Sequence, residues 1–501
     1  TKANKQGIEK LTGLNNPKLN DFVAKYVELC NPASVYICDD SKTDREYIRN
    51  KAIENKEEMK LAIEGHTIHF DGISDQARDK ANTKYLLKKG TDLGASLNST
   101  DKENGEKEVH EYFSNIMAGR EMFILFFSLG PVNSPFSLPC VQITDSGYVA
   151  HSEYILFRSG YSQFKRLGDS GGFFRYVHSA GELEGGVSKN VDKRRVYIDL
   201  DDNIVYSVNT QYAGNTVGLK KLSLRLAINK AAKEDWLAEH MFVMGSRGPG
   251  GRITYFTGAF PSACGKTSTA MLPGETIIGD DIAYLRKRDG RVYAANVECG
   301  IFGIIRDVNP KDDPVIWEAL NKPGEVIVSN ILVDENGNTY WLGDGRQIPE
   351  KGRNFSGEWQ KGKKDAKGNE ILHAHKNARY TVSLYDLSNV DKNFDNPEGV
   401  PVKGVIYGGR DSSVWPPVQQ AFDWGHGVIM MGASLESETT AATLGKEGVR
   451  TFNPMSNIDF VAIPLGAYIK KHLEFVKDIQ DVPSIFSVNY FQKDRDGKYI
   501  T

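Results

Sequence analysis

Residues 253–281 read ITYFTGAFPSACGKTSTAMLPGETIIGDD, and the order of residue types in that stretch decides the fold class. Residues 253–257 are β-branched and aromatic and stop at a glycine, the pattern of a strand. Residues 261–267 follow as a tight loop, 268–272 as a helix start, and 275–278 as a short strand that ends in Gly279-Asp280-Asp281. Strand, loop, helix, strand, acidic end is the layout of a phosphate-binding nucleotide site. Gly265-Lys266-Thr267 supplies the chemistry: backbone N–H groups cradle phosphate oxygens, Lys266 reaches the terminal phosphates, and the Thr267 hydroxyl takes a place on Mg²⁺. The ordinary P-loop begins with a glycine where this chain has Phe260, so the loop is a variant. Asp280-Asp281 offers carboxylates to a cation bridging phosphates, or caps a loop.

The pattern continues on both sides. Leu224, Ala227, Ile228 and Ala231 recur at helical spacing, and residues 241–244 read as a strand. Between residues 122 and 209, apolar runs at 123–127, 154–157 and 196–198 alternate with Gly and Ser turns, which predicts a strand-rich first domain. Residues 1–35 read as a helical lead-in with Phe22, Val23, Tyr26 and Val27 on one face. The polar stretches 95–108 and 351–370 read as surface loops. These readings predict an α/β chain with a boundary near residue 230: a domain over 1–230, then a P-loop domain over 231–501.

Composition narrows the function classes. The chain has 501 residues, 40% hydrophobic and 25% charged, which is globular rather than disordered. With 62 Lys+Arg against 65 Asp+Glu the formal charge is -3, so no single-sign field is available to hold a nucleic-acid backbone. The apolar run 122–129 is too short to span a bilayer. Five cysteines (Cys30, Cys38, Cys140, Cys264, Cys299), odd in number and without a CxxC pair, argue against a disulfide framework or structural zinc. No signal-peptide core stands in the first thirty residues, although the chain opens at Thr1 without Met. The expectation is a cytoplasmic enzyme.

Other clusters carry chemistry less sharply. His240 precedes the 241–244 strand, and Lys221 follows Lys220; alone, the first reads as a packing residue and the second as a solvated lysine. Tyr212-Ala213-Gly214-Asn215, Asn377-Ala378-Arg379 and Gly408-Gly409-Arg410 place polar groups beside glycine or alanine, where arginine captures carboxylate or phosphate, or forms a surface ion pair. His373-Ala374-His375 has metal-compatible spacing, but Lys376 beside it and the lack of adjacent carboxylates point to a surface role.

In their order along the chain, Tyr212-Ala213-Gly214-Asn215, Lys220-Lys221, Trp236-Leu237-Ala238-Glu239-His240-Met241, Pro261-Ser262-Ala263-Cys264-Gly265-Lys266-Thr267, Gly279-Asp280-Asp281-Ile282, Asn377-Ala378-Arg379, Gly408-Gly409-Arg410 and Tyr490-Phe491 resemble the phosphoenolpyruvate carboxykinase family, in its GTP-using class. The resemblance runs from about residue 20 to the end of the chain. It implies an α/β, two-domain fold with a P-loop-containing C-terminal nucleotide-binding domain, the active site lying between the domains. The reaction implied is the reversible decarboxylation and phosphorylation of oxaloacetate by GTP to phosphoenolpyruvate, CO₂ and GDP, a step of gluconeogenesis. By resemblance, Lys221, His240 and Asp281 would bind a catalytic Mn²⁺, and Lys266 with Thr267 the nucleotide phosphates and a second cation, Mg²⁺. Arg78, Tyr212, Gly214, Ser262, Asn377 and Arg379 would bind oxaloacetate. Ala263, Cys264, Gly265, Ser268 and Arg410 would line the nucleotide phosphates, with Arg410 by the transferring phosphoryl group, and Tyr490, Phe491 and Tyr499 would clamp guanine.

The resemblance further implies a reactive Cys264, whose thiolate Lys266 and a cation should favour, and a mobile lid near 438–449. A monomer is expected, with neither nucleic-acid nor membrane partners. The chain departs from the family at Ala213 and Ser268, and it stops at Thr501 before the family's remaining guanine contacts, as in a fragment or after loss of that segment. A P-loop kinase or NTPase acting on another acceptor, or an inactive nucleotide-binding fragment, is the alternative. Donor identity (GTP, ITP or pyrophosphate) and physiological direction stay open.

Overall fold

The computed structural model describes residues 2–261, 264–412, 416–439 and 449–500. The 122–129 run becomes the strand Glu121–Leu129, and its alternation explains the first layer. Met122, Ile124 and Phe126 point into one core with Phe22, Tyr26 and Phe113. Phe123, Leu125, Phe127 and Leu129 point into a second core with Tyr154 and Leu156. Both faces are covered, so the strand is apolar throughout. It sits in a nine-stranded mixed sheet ordered Ser34–Ile37, Glu121–Leu129, Leu138–Thr144, Phe174–Ser179, Ile204–Val208, Arg195–Asp199, Thr83–Leu87, Ser99–Asp101, with Arg158–Ser159 on the side. The helix Pro17–Cys30 covers it, entered through Asn16, which accepts from Leu19 N at 2.9 Å, and Pro17, and left through Asn31 in the left-handed region.

The second nine-stranded sheet runs Trp236–Glu239, Ala283–Arg288, Arg291–Asn296, Val400–Gly409, Ile253–Ala259, Phe242–Arg247, Thr276–Gly279, with Ser484–Asn489 and Val418–Gln420 attached. At its centre Val400–Gly409 lies between two parallel partners, Ile253–Ala259 and Ser484–Asn489, with Ala259 opposite Tyr407 and Gly409 opposite Asn489. The carboxyl ends of the three strands therefore open side by side. Those ends lead into the P-loop, Arg410 and Tyr490-Phe491, the position at which open α/β sheets bind ligands.

A five-stranded sheet ties the halves of the chain together: Met59–Lys60, His66–His69, Val326–Ser329, Arg379–Ser383, Gly300–Ile304. His66–His69 lies parallel to Val326–Ser329, with His69 opposite Ser329. The loop that leaves His69 and carries Arg78 is thereby set beside the turn that carries Asn377 and Arg379.

Three sequence readings need correction. Most of the expected loop 95–108 is ordered: Ser99–Asp101 is a strand and Lys102–Phe113 a helix capped by Asp101, which accepts from Asn104 N at 3.0 Å. Its buried face is Gly105, Val109 and Phe113, so the apolar stripe starts only where the polar stretch ends. The expected loop 351–370 contains the hairpin Lys351–Asn354 and Gly357–Gln360, which buries only Asn354 and Trp359 and so stays polar. The apolar run 154–157 belongs to the helix Gly147–Leu156 and its end; every residue of that helix is buried, and a helix enclosed on all sides reads as an unbroken run. Among the described residues no helix is long and apolar enough to cross a membrane.

Candidate active site

A π-helical turn over Gly218–Leu222 presents two adjacent lysines to one carboxylate. Lys220 leaves helical dihedrals (φ -84°, ψ -118°), and the kink turns the two side chains to different atoms. Lys220 Nζ donates to Asp281 Oδ2 at 2.8 Å and pairs with Glu298 at 2.6 Å. Lys221 Nζ lies 3.0 Å from His240 Nε2 and 3.5 Å from Asp281 Oδ1. His240 lies between the strands Trp236–Glu239 and Phe242–Arg247, Asp281 follows Thr276–Gly279, and Nε2 is 3.0 Å from Oδ1.

Protonation follows from burial and charge. Desolvation, with Lys266, Arg78 and Lys220 adding positive charge, lowers the Lys221 ammonium to about 7 against the pull of Asp281. Desolvation, Lys221 and Lys266 lower His240 to about 3, so its ring is neutral. Burial would raise Asp281, but Lys220, Lys221, Lys266 and His240 hold it well below the usual carboxylate range. A neutral imidazole here cannot satisfy both its neighbours. His240 Nδ1 faces the Ser456 carbonyl at 3.2 Å and Nε2 faces Asp281 Oδ1, so one nitrogen must present a lone pair to an acceptor. Lys266 resolves the conflict by placing its ammonium against both Nε2, at 3.2 Å, and Asp281 Oδ1. An amine near neutrality, a neutral imidazole and an ionised carboxylate with a cation already drawn between them form a donor set that fits a divalent metal.

The nucleotide side is built by the three parallel strands. Phe260 replaces the usual glycine because its ring has a berth: it stacks on Tyr490 (centroids 5.9 Å, planes 28° apart) and lies over Gly408, where a Cβ would overlap it. Gly265 precedes the short helix Lys266–Ala270, with Thr267 half-buried and Ser268 exposed in its first turn. Arg410 lies over the Phe491 ring (3.7 Å) and donates to Tyr499 OH at 3.4 Å, while its backbone N donates to Ser437 Oγ at 3.0 Å. Arg410, Tyr490, Phe491 and Tyr499 thus share one rim. Ser262, Ala263 and residues 440–448 of the expected lid lie outside the described residues.

Cys264 corrects an expectation. Its Sγ is buried against Ser437 Oγ at 3.5 Å, and desolvation raises the thiol despite Ser437 and Arg410, so the thiolate is disfavoured.

Around the two candidate substrate arginines, Arg379 Nη2 donates to Asn377 Oδ1 at 2.7 Å, and Asn377 Nδ2 donates to Tyr212 OH at 3.0 Å and to the Gln76 carbonyl at 2.8 Å. Gly214 lets the Tyr212 ring fold back on the chain: a Cβ there would overlap Tyr212 and reach Arg78 Cγ at 3.2 Å. Arg78 stacks over Phe460 (5.4 Å) and lies 3.8 Å from Asp459. His373 and His375 are not surface groups. His373 is buried, and half-buried His375 accepts through Nδ1 from Asn377 N at 3.1 Å, bracing the Asn377 turn.

Residues without an earlier assigned role complete the arrangement. Asn215 brackets Arg78, accepting from Asp79 N at 3.1 Å and donating to the Ala77 carbonyl at 3.2 Å. Asp75 accepts from Gln211 N and Tyr212 N. Phe460 carries Arg78, Lys221 and Arg225 around its ring, with His240 edge-on at 5.2 Å. The Tyr-Ala-Gly-Asn and Lys-Lys pairs flag Asn215 and Lys220; nothing local flags Glu298 or Phe460.

A variant P-loop at the carboxyl ends of parallel strands, next to a buried amine–imidazole–carboxylate cluster, defines a P-loop α/β protein with a candidate site for a nucleotide and a cation. Residues 21–232 match the phosphoenolpyruvate carboxykinase N-terminal domain and residues 236–501 the phosphoenolpyruvate carboxykinase C-terminal P-loop domain. The chain is 58% identical to the phosphoenolpyruvate carboxykinase [GTP] of Thermococcus sibiricus over 98% of this chain and 79% of that protein. It is 57% identical to that of Pyrococcus abyssi over the same shares, and 47% identical to that of Saccharolobus solfataricus over 99% and 79%. The chain belongs to the GTP-dependent phosphoenolpyruvate carboxykinase family.

Proposed function

We propose that this chain is a carboxy-lyase that converts oxaloacetate and GTP reversibly into phosphoenolpyruvate, CO₂ and GDP. The observation that carries the reading is the meeting of Lys221, His240 and Asp281 beside Lys266, with Arg78 stacked on the same Phe460 as Lys221. A simple NTPase has no use for that second cluster.

Lys221, His240 and Asp281 would hold Mn²⁺, and Thr267 would contribute to Mg²⁺ carried with the nucleotide. Bound there, a divalent cation supplies a Lewis acid that draws negative charge from oxaloacetate and the phosphoryl group. The rest falls to the protein. Arg78, Arg379, the Gly214 N–H and Ser262 bind the dicarboxylate, with Asn377 and Tyr212 fixing its edge. Loss of CO₂ leaves an enolate whose oxygen attacks the γ-phosphoryl group in line. Lys266 leaves its resting contacts with His240 and Asp281 to hold the phosphates, among Ala263, Cys264, Gly265 and Ser268. Arg410 faces the transferring group, and each well-placed donor contributes about 3 kcal/mol. Tyr490, Phe491 and Tyr499 stack on guanine. An enolate met by water would be protonated to pyruvate, so the segment 438–449 acts as the lid that excludes it. The division near residue 230 separates the N-terminal substrate-binding domain from the nucleotide domain, and the enzyme works as a cytoplasmic monomer.

The test is oxaloacetate-dependent phosphoenolpyruvate formation with Mn²⁺, run in parallel with GTP, ITP and pyrophosphate. Product with GTP supports the reading. Nucleotide hydrolysis that ignores oxaloacetate overturns it in favour of an NTPase.

A further inference from the structure

Behind the loop that carries Arg78 lies a buried polar pairing for which the proposed chemistry has no use. Asn330 and Asp71 are 0% and 1% exposed, 259 residues apart in sequence, and joined at two points. Asp71 N donates to Asn330 Oδ1 at 2.9 Å, and Asn330 Nδ2 donates to Asp71 Oδ2 at 2.7 Å. The other carboxylate oxygen of Asp71 meets His69 Nε2 at 3.2 Å, so the group is satisfied on both sides. Asn330 follows the strand Val326–Ser329 in the left-handed region (φ 60°), a conformation that asparagine and aspartate accept more readily than other side chains. Its backbone is used as well: its N donates to the His69 carbonyl at 3.1 Å, and its carbonyl accepts from His375 N at 2.9 Å.

From that residue two tethers run to the two arginines. On one side Asp71 opens the loop 71–79, which carries Arg78. On the other, His375 accepts from Asn377 N, and Asn377 holds the Arg379 guanidinium, Tyr212 OH and the Gln76 carbonyl. The loop from the first half of the chain and the turn from the second are thus joined at Asp71–Asn330 and again at Gln76–Asn377.

We infer that Asn330, through its two-point pairing with Asp71, is a positioning residue that holds Arg78 and Arg379 at one spacing for the dicarboxylate. This rests on the carboxylate site proposed above. The two arginines are the groups proposed to hold the dicarboxylate, so the effect belongs in oxaloacetate binding and leaves the nucleotide, at strand ends of another sheet, untouched.

The test uses Asn330→Asp, Asp71→Asn and the double variant. Aspartate in place of Asn330 keeps the left-handed backbone but sets a carboxylate against Asp71. Asparagine in place of Asp71 still accepts from Asn330 through Oδ1. In the double variant the new amide donates to the new carboxylate, restoring complementarity with the two roles exchanged. KM for oxaloacetate should rise on the order of tenfold or more in Asn330→Asp, with KM for GTP within about twofold. Asp71→Asn should change far less, and the double variant should return toward the wild type. Melting temperatures and oxalate titrations by calorimetry accompany the kinetics. Wild-type KM for oxaloacetate in Asn330→Asp overturns the inference, as does a double variant no better than the single one, or a fall in kcat alone in step with lost folded protein. If Asn330→Asp does not fold, the double variant decides: recovery of folding without recovery of oxaloacetate KM refutes positioning. A wild-type enzyme that binds oxalate but makes no phosphoenolpyruvate would refute the proposed reaction, and the oxalate titrations of the variants would still judge the pairing.

Discussion

Replacing Lys221 with arginine isolates the feature on which the proposed cation site depends, a lysine whose hold on its proton is loosened by burial and neighbouring cations. Its Nζ lies 3.0 Å from His240 Nε2 and 3.5 Å from Asp281 Oδ1, and burial with three neighbouring cations brings it from an ordinary 10.5 to about 7. At about pH 7.5 a lysine at 10.5 is neutral about once in a thousand and one at 7 about three times in four, a gain of roughly 700-fold in the form that can donate a lone pair. The side chain is 28% exposed, so solvent weakens the depression, and on the order of a hundredfold in cation affinity is the working figure. Arginine keeps its charge at every pH the protein tolerates. Lys221→Arg should therefore weaken Mn²⁺ binding by about a hundredfold or more at about pH 7.5, and raising the pH should not restore it. Wild-type affinity should climb as pH rises through about 7 and then level off. Lys221→Met, neutral but offering only a soft thioether sulfur in place of the amine, should bind Mn²⁺ weakly at every pH. The free-Mn²⁺ signal in electron paramagnetic resonance reads all three. Arginine binding Mn²⁺ about as well as lysine, or a wild-type affinity flat between about pH 6 and pH 8, would refute the reasoning.

Cys264 should alkylate slowly near neutrality, because burial raises its thiol above the ordinary 9.0, with a rate still rising past about pH 9 and suppressed by bound GTP; complete modification with full activity retained would remove it from the nucleotide site. Gly408→Ala should push Phe260 off its berth, lowering stability by about 1–3 kcal/mol in denaturant titrations and weakening GTP more than oxaloacetate. His151, which burial alone would lower, is lifted to about 9 by Glu58 at 2.9 Å and Glu325 at 3.1 Å. Its contribution should be complete below an ordinary 6.5 and lost as pH rises through about 9, so Glu58→Gln should flatten that alkaline fall in melting temperature.

What can be read from the sequence is what the chain keeps contiguous. The P-loop and the acidic end at Asp281 announce themselves locally, because strand ends and glycine turns are local patterns, whereas His240, Lys221 and Arg410 take their roles only from the family resemblance. The pairing of Asp71 with Asn330 is invisible by the same logic: it depends on His66–His69 aligning with Val326–Ser329. Glu298 and Phe460 carry no local pattern at all, yet one pairs with Lys220 and the other seats Arg78 and Lys221. Cys264 misleads for a related reason. Proximity to Lys266 in sequence suggests a stabilised thiolate, while burial, which only the folded chain sets, raises the thiol against the pull of Ser437 and Arg410.

The proposed mechanism centres on an amine, an imidazole and a carboxylate that would share one divalent cation. Anomalous diffraction at the manganese edge, from crystals grown with Mn²⁺ and GDP, tests that arrangement directly. A single strong peak is expected within bonding reach of Lys221 Nζ, His240 Nε2 and an Asp281 oxygen, with the Lys266 ammonium displaced toward the phosphates. A peak elsewhere, with Lys266 still lodged between His240 and Asp281, would contradict it.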